Sequence, residues 1–311
     1  MGIFDKQTKS NITFSNVAQE WILYKQPRLK KSTSSYYQYI IDTRLDNILG
    51  NEKISKLKDY NYNNITAKIQ EKLSKKSTKD TLVVLKAILK YADFKYELGL
   101  NMDLITIPKI QTKAIEFFTS EEVEKLENYL IQSDKDIEIG IWFSLYAGLK
   151  MGEICALKWE NINIKNRTIE IKNVIQSIRK KKDDFYTTFE EINVENEHSR
   201  VIPINDKLYD RLNLMKDKNN KNSFILTGNN ERIMSPSSYR KIFNRVLKKC
   251  EIEQRKYQAL RHTFAVNCIK MGMDVENLKD ILGHTQLVTT LSTYMQPSVK
   301  TKQNYINKLY R

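Results

Sequence analysis

Residues 147–162 read Ala147-Gly148-Leu149-Lys150-Met151-Gly152-Glu153-Ile154-Cys155-Ala156-Leu157-Lys158-Trp159-Glu160-Asn161-Ile162, and the hydrophobic period changes across them. Before this stretch, residues 137–147 are apolar all round, which predicts a buried helix. After Trp159 the period becomes two. Ile162 and Ile164, then Ile169 and Ile171, flank Lys165-Asn166-Arg167 and read as a small antiparallel hairpin. A second strand pair is expected around 184–194 and 200–204. Helices return at Asp206, at Ser235-Pro236, near Gln258, near Asp274 and at the C-terminus. The chain is therefore expected to be mainly α with a small antiparallel sheet, an α+β arrangement.

Upstream, residues 12–100 read as four helical segments. Ser15 is placed to cap a helix with Val17, Ala18, Trp21 and Ile22 on one stripe. Ser32 and Thr33 precede a second, carrying Tyr36, Tyr37, Ile40, Ile41, Leu45 and Ile48 and stopped by Gly50. A third lies near Ile65 to Leu73. A fourth follows Ser77 and Thr78, buries Leu82, Leu85, Ile88, Leu89 and Ala92, and ends at Gly99. Residues 101–117 contain Pro108 and little helical period, so the linker belongs there. Thr119 and Glu122 have the spacing of a capping box that opens the next helix. The expected domains are a helical one at 12–104 and an α+β one at 114–311, the latter ending in a tail helix.

Charge narrows the partners. The 311 residues carry 52 Lys and Arg against 37 Asp and Glu, a formal charge of +15. Of these, 19 basic and 11 acidic side chains fall in residues 1–110, so that part is +8 and the remainder +7. Both parts are candidates for a polyanion surface. The longest uncharged stretch near the middle, Ile139 to Leu149, is too short to span a bilayer. No apolar signal segment follows Met1. Three widely spaced cysteines, Cys155, Cys250 and Cys268, fit neither a disulfide framework nor a zinc site and suit a reducing cytoplasm.

Only three histidines occur, His198, His262 and His284. Two fall in the segments Ala259-Leu260-Arg261-His262-Thr263 and Leu282-Gly283-His284, with Tyr294 ten residues further on. Each segment alone is ordinary. In order, and behind the 147–159 stretch, they resemble the three catalytic boxes of the tyrosine recombinases, the phage and conjugative-element integrase class. The N-terminal helices resemble that family's core-binding domain.

The resemblance implies a site-specific DNA recombinase or integrase of mobile elements, with a core-binding and a catalytic domain. It implies cleavage and rejoining of double-stranded DNA through a 3′-phosphotyrosyl link, with no cofactor or metal. By the same resemblance, Tyr294 is the nucleophile, Arg261 a phosphate clamp and His284 a hydrogen-bond donor or proton carrier. Glu153 braces the first box, and His262 supports. A tail stripe of Tyr305, Ile306, Leu309 and Tyr310 would dock on a neighbouring protomer of a tetrameric synapse that passes through a Holliday junction.

Three positions depart from the family pattern. Lys150 stands where an arginine is usual, and a point charge replaces a planar fork. Gln258 stands where His or Lys is usual, and an amide cannot shuttle a proton. Val194 to Glu197 occupy the place of a hairpin lysine that would act as general acid, leaving Lys180, Lys181 and Lys182 further back as substitutes. Lys150 is open to being natural or engineered. Two functions stay open: an impaired recombinase, or a recombinase-fold DNA-binding protein that occupies or regulates recombination sites.

Overall fold

A computed structural model describes residues 11–110, 115–194, 199–216 and 220–283, with 303, 306 and 307. Cα packing divides the chain into two compact units. One combines residues up to 113 with Ser177–Thr188, and the other takes up residues 114–176 and everything from Phe189 onward.

In the first unit, α1 (Phe14–Lys25) opens with a capping box. Thr13 Oγ1 accepts from the Asn16 amide at 3.3 Å, and the Asn16 side chain accepts from the Thr13 amide at 3.1 Å. The cap is thus Thr13 rather than Ser15, because Asn16 at the third helical position closes the box. The second helix, α2 (Lys31–Ile40), continues through a wide π turn, Ile41–Leu45, into the short α3 (Asp46–Leu49). Next come α4 (Tyr62–Lys72) and the long α5 (Lys75–Tyr96). Ser74 caps α5 by accepting from the Ser77 amide at 3.3 Å. Ser77 and Thr78 therefore lie inside the helix, which starts one turn earlier than their spacing suggested. Trp21, Ile40, Ile41, Leu45, Leu85 and Ile88 meet in one core.

Residues 177–188 complete this unit. Arg179 lies over the rings of both Tyr36 and Tyr39, 4.6 and 4.5 Å from their centroids. Its amide donates to Ser35 Oγ at 3.3 Å. Phe185 meets Tyr39 edge-on at 5.1 Å, and Lys181 Nζ sits 3.3 Å from Asp42 Oδ2. The basic run thus has aromatic and carboxylate partners within the first unit.

The second unit is centred on α7 (Ile139–Ala147), which follows α6 (Ser120–Gln132). Ile139, Ile141, Phe143 and Leu145 are all buried, as a helix apolar on every side must be. Thr119 and Glu122 form the expected capping box on α6. After α8 (Met151–Ala156) come β1 (Ile162–Asn163) and β2 (Thr168–Ile171), joined through Arg167 at φ 51°. Two further strands, β3 (Asn173–Lys181) and β4 (Phe185–Asn193), pair with each other as a ribbon. β5 (Arg200–Pro203) joins β2 instead, antiparallel, with Ile169 opposite Ile202 and Ile171 opposite Arg200. The expected pairing of 184–194 with 200–204 is therefore corrected. The hydrophobic face of Ile169, Ile171 and Ile202 selects the β1-β2-β5 sheet, while β4 folds back on its nearer neighbour. The remaining helices are α9 (Asp206–Met215), α10 (Pro236–Lys249), α11 (Gln258–Lys270) and α12 (Val275–Leu282).

All three cysteines are free, and burial pushes the Cys155 thiol up to about 12. Among the described residues, no helix is long and apolar enough to cross a membrane. Leu85 is fully buried, whereas Leu23 is 67% exposed. Leu85→Ala is expected to destabilise the first unit by about 2–5 kcal/mol, and Leu23→Ala by about 0.5 kcal/mol or less. Urea unfolding followed by circular dichroism measures both, and similar losses would show that the core is not where the packing puts it.

Candidate active site

The turn after α7 is made by Gly148, which adopts φ 66°. A Cβ there would also come within 2.7 Å of the Phe264 ring. Lys150 then precedes α8, and its amide donates to Glu153 Oε2 at 2.8 Å. Glu153 is buried and takes a two-pronged contact from Arg200, with Nη1 to Oε1 at 2.9 Å and Nη2 to Oε2 at 2.8 Å. Burial by itself would raise the Glu153 pKa. Arg200's hydrogen bonds and charge, with the charges of Lys150 and Arg261, outweigh it and hold the carboxyl below its ordinary 4.5.

Arg200 also donates from Nε to the Ile281 carbonyl at 2.7 Å. Arg261, only 2% exposed, donates from Nη1 to the Gly148 carbonyl at 2.7 Å and from Nη2 to the Leu282 carbonyl. Ile281 and Leu282 end α12, where carbonyls lack helical partners and the helix dipole is negative. Two guanidinium groups therefore join the 148–153 turn to the end of α12. Gly283 closes that helix at φ 60°, and a Cβ on it would stand 2.9 Å from Arg200 Nη1.

A cleft of about 670 Å³ opens beside this network, lined by Lys150, Gln258 and Arg261 among others. Three of the expected site residues thus line one cleft, and Glu153 holds the turn that carries Lys150. Lys150 Nζ lies 3.8 Å from Glu153 Oε1, with its side chain 49% exposed. Tyr257 also lines the cleft. Its hydroxyl donates to the Gly140 carbonyl at 2.6 Å, and burial raises its pKa far above the ordinary value. That hydroxyl is structural and unsuited to attack. His262 is half-buried and is not among the cleft-lining residues. Burial, then the Arg261 charge, lowers its pKa, against a smaller opposing effect of Glu116. His284 and Tyr294 lie outside the described residues, as do residues 195–198. Among the described residues, no cluster of three or more His, Cys, Asp or Glu could hold a metal ion.

Sequence reasoning missed Arg200, Arg240 and Lys256, the last two lining the same cleft. A signal existed for Arg200. It shares a strand face with the buried Ile202, and a charge on an inward face needs a partner.

The pattern of the phage integrase family matches residues 116–301, and that of the phage integrase N-terminal SAM-like domain matches residues 13–75. A XerC-like tyrosine recombinase of Caldanaerobacter subterraneus subsp. tengcongensis is 23% identical over 96% of this chain and 83% of its own. Among solved structures, the Tn1549 transposon integrase in complex with transposon right end DNA has a TM-score of 0.75 at 19% identity. That match covers 96% of this chain and all of that one. A lambda integrase dimer bound to a core site gives 0.65 at 13%, covering 94% and 80%. At these identities the structural likeness is one of fold.

Glu153→Gln is expected to cost about 3–5 kcal/mol near pH 7, because Arg200 keeps a buried charge while its partner becomes neutral. A depressed folded pKa gives stability that is fully present above about 4.5 and lost as pH falls through the lower folded value. The gap between the urea midpoints of the wild type and the variant should therefore begin to narrow as pH falls below about 4.5. A gap that stays constant down to pH 3 would show that the Glu153 charge is not what holds Arg200.

Proposed function

We propose the roles of individual residues from the premise that this chain belongs to the phage integrase family and is a DNA strand-exchange tyrosine recombinase. In this reading Tyr294 attacks the scissile phosphate in line. The tyrosyl oxygen forms a bond to phosphorus as the bond to the 5′ oxygen breaks, and the 5′ oxygen leaves with a proton. The phosphotyrosyl link stores the energy of the broken ester, and attack by another 5′ hydroxyl reverses the step.

Negative charge grows on the two non-bridging oxygens during both displacements. Arg261 and Lys150 answer that charge from the wall of the cleft, and His284 donates a hydrogen bond or carries the proton. Gln258 contributes a neutral hydrogen bond only. Glu153 positions the turn that carries Lys150. The observation that carries this reading is the meeting of Lys150, Gln258 and Arg261 in one cleft, although Lys150 is far from the other two in sequence. Lys181 is drawn to Asp42, which weighs against it as a substitute general acid.

The helical part at 12–104 and the catalytic part at 114–311 each carry a share of the positive charge, which suits a clamp on duplex DNA. The tail, where Ile306 is half-exposed, docks on a neighbouring protomer and links four active sites. The protein works in the cytoplasm. A second reading, a DNA-binding protein with little cleavage, is favoured by the single-point contact of Lys150 and the neutral Gln258.

A nicked suicide duplex, carrying a site that the protein selects from a randomised pool, separates the two. The wild type is expected to give a covalent protein–DNA band that Tyr294→Phe abolishes, with DNA affinity kept within about a few fold. Tight binding without any band would establish the second reading.

A further inference from the structure

The cleft wall holds more positive charge than the assigned residues supply. Besides Lys150 and Arg261, it is lined by Arg240 and Lys256, and no Asp or Glu lines it. Neither the Arg240 nor the Lys256 side chain has an ion-pair or hydrogen-bond partner among the described residues. Four cations facing one cavity repel each other, and an anion seated among them relieves that cost.

The two extra cations are not equivalent. Arg240 stands on α10, a 14-residue helix started by Ser235, whose Oγ accepts from the Ser238 amide at 3.1 Å, and by Pro236. Its neighbours Tyr239 and Phe243 are both fully buried. Their rings meet Tyr257 at 5.6 and 5.0 Å, and Tyr257 itself lines the cleft. The base of the Arg240 side chain is therefore fixed by a packed aromatic cluster, while its end is exposed at the cleft. Lys256 stands on the irregular segment before α11 and offers only a point charge. A planar guanidinium on a rigid support is the group suited to two oxygens of one phosphate.

We propose that Arg240 is a catalytic residue, the second guanidinium on the scissile phosphate, supplying the two-pronged contact that Lys150 cannot make. This rests on the recombinase roles given above. Arg240 would reach the non-bridging oxygens from α10, while Arg261 and Lys150 hold them from their own places on the cleft lining. The departure at position 150 is then a relocation of the arginine and not its loss.

The test is a double-mutant cycle between positions 150 and 240. Full-length protein is preassembled on a saturating amount of the nicked suicide duplex, and the single-turnover rate of covalent complex formation is measured beside the DNA dissociation constant. Arg240→Ala is expected to slow the rate by about 10²–10³, as for loss of one oxyanion donor, with less than about a tenfold change in affinity. Arg240→Lys should recover only part of the rate. In a Lys150→Arg background the Arg240→Ala loss should shrink below about tenfold, because the new arginine does the same work. Equal losses in both backgrounds, a loss confined to affinity, or no loss would each overturn the proposal. A wild-type protein that binds but forms no covalent complex overturns the underlying residue roles, and this proposal with them. Arg240 is exposed, and thermal unfolding of each variant separates misfolding from a catalytic effect.

Discussion

Two buried guanidinium groups hold the second unit's chemistry in register. Arg261 joins the carbonyl of Gly148 to that of Leu282, and Arg200 joins the Glu153 carboxylate to the carbonyl of Ile281. Neither contact would be favourable in isolation, since a buried cation loses its hydration. They persist because each answers two deficits at once. The last carbonyls of α12 have no helical donors, and the 148–153 turn needs something to fix its course. Every other feature of the site depends on this tie, including where Lys150 stands and where the chain leaves α12 at Gly283.

The distribution of charge around that tie has a direction. Glu153, the acidic partner, is kept behind the wall, while Lys150, Arg240, Lys256 and Arg261 line the cleft. An acid placed in front would cancel the attraction for a phosphodiester. Placed behind, it satisfies Arg200 and the Lys150 amide without reaching the ligand. A cleft of this kind draws an anion and holds it against fixed dipoles, so little reorganisation remains for the chemical step.

Much of this was legible in the sequence, for identifiable reasons. The apolar run through Ala147 read as a buried helix, and Ile139–Ala147 forms one. Lys150, Gln258 and Arg261 were singled out by resemblance, and they line one cleft. Strand partners were less legible. Alternation marks a strand and its buried face but not its neighbour, and so β5 was assigned to the wrong partner. Arg240 was invisible because α10 carries several basic residues, and only packing shows which of them turns toward the cleft. The partners of Arg179 were hidden for a similar reason, since Tyr36 and Tyr39 lie far from it in sequence.

The contact of Arg179 with both tyrosine rings has a consequence for biosynthesis. The first unit is discontinuous: its last contributing segment ends at Thr188, after residues 114–176 of the second unit. On a ribosome the helices of residues 12–104 emerge first and can form their core at once. The face made by Ser35, Tyr36, Tyr39 and Asp42 must wait until the β3–β4 tip arrives. Completion of the amino-terminal unit is thus tied to synthesis of the segment that follows the first catalytic box. A nascent chain that ends before that point leaves this face without Arg179 and Phe185.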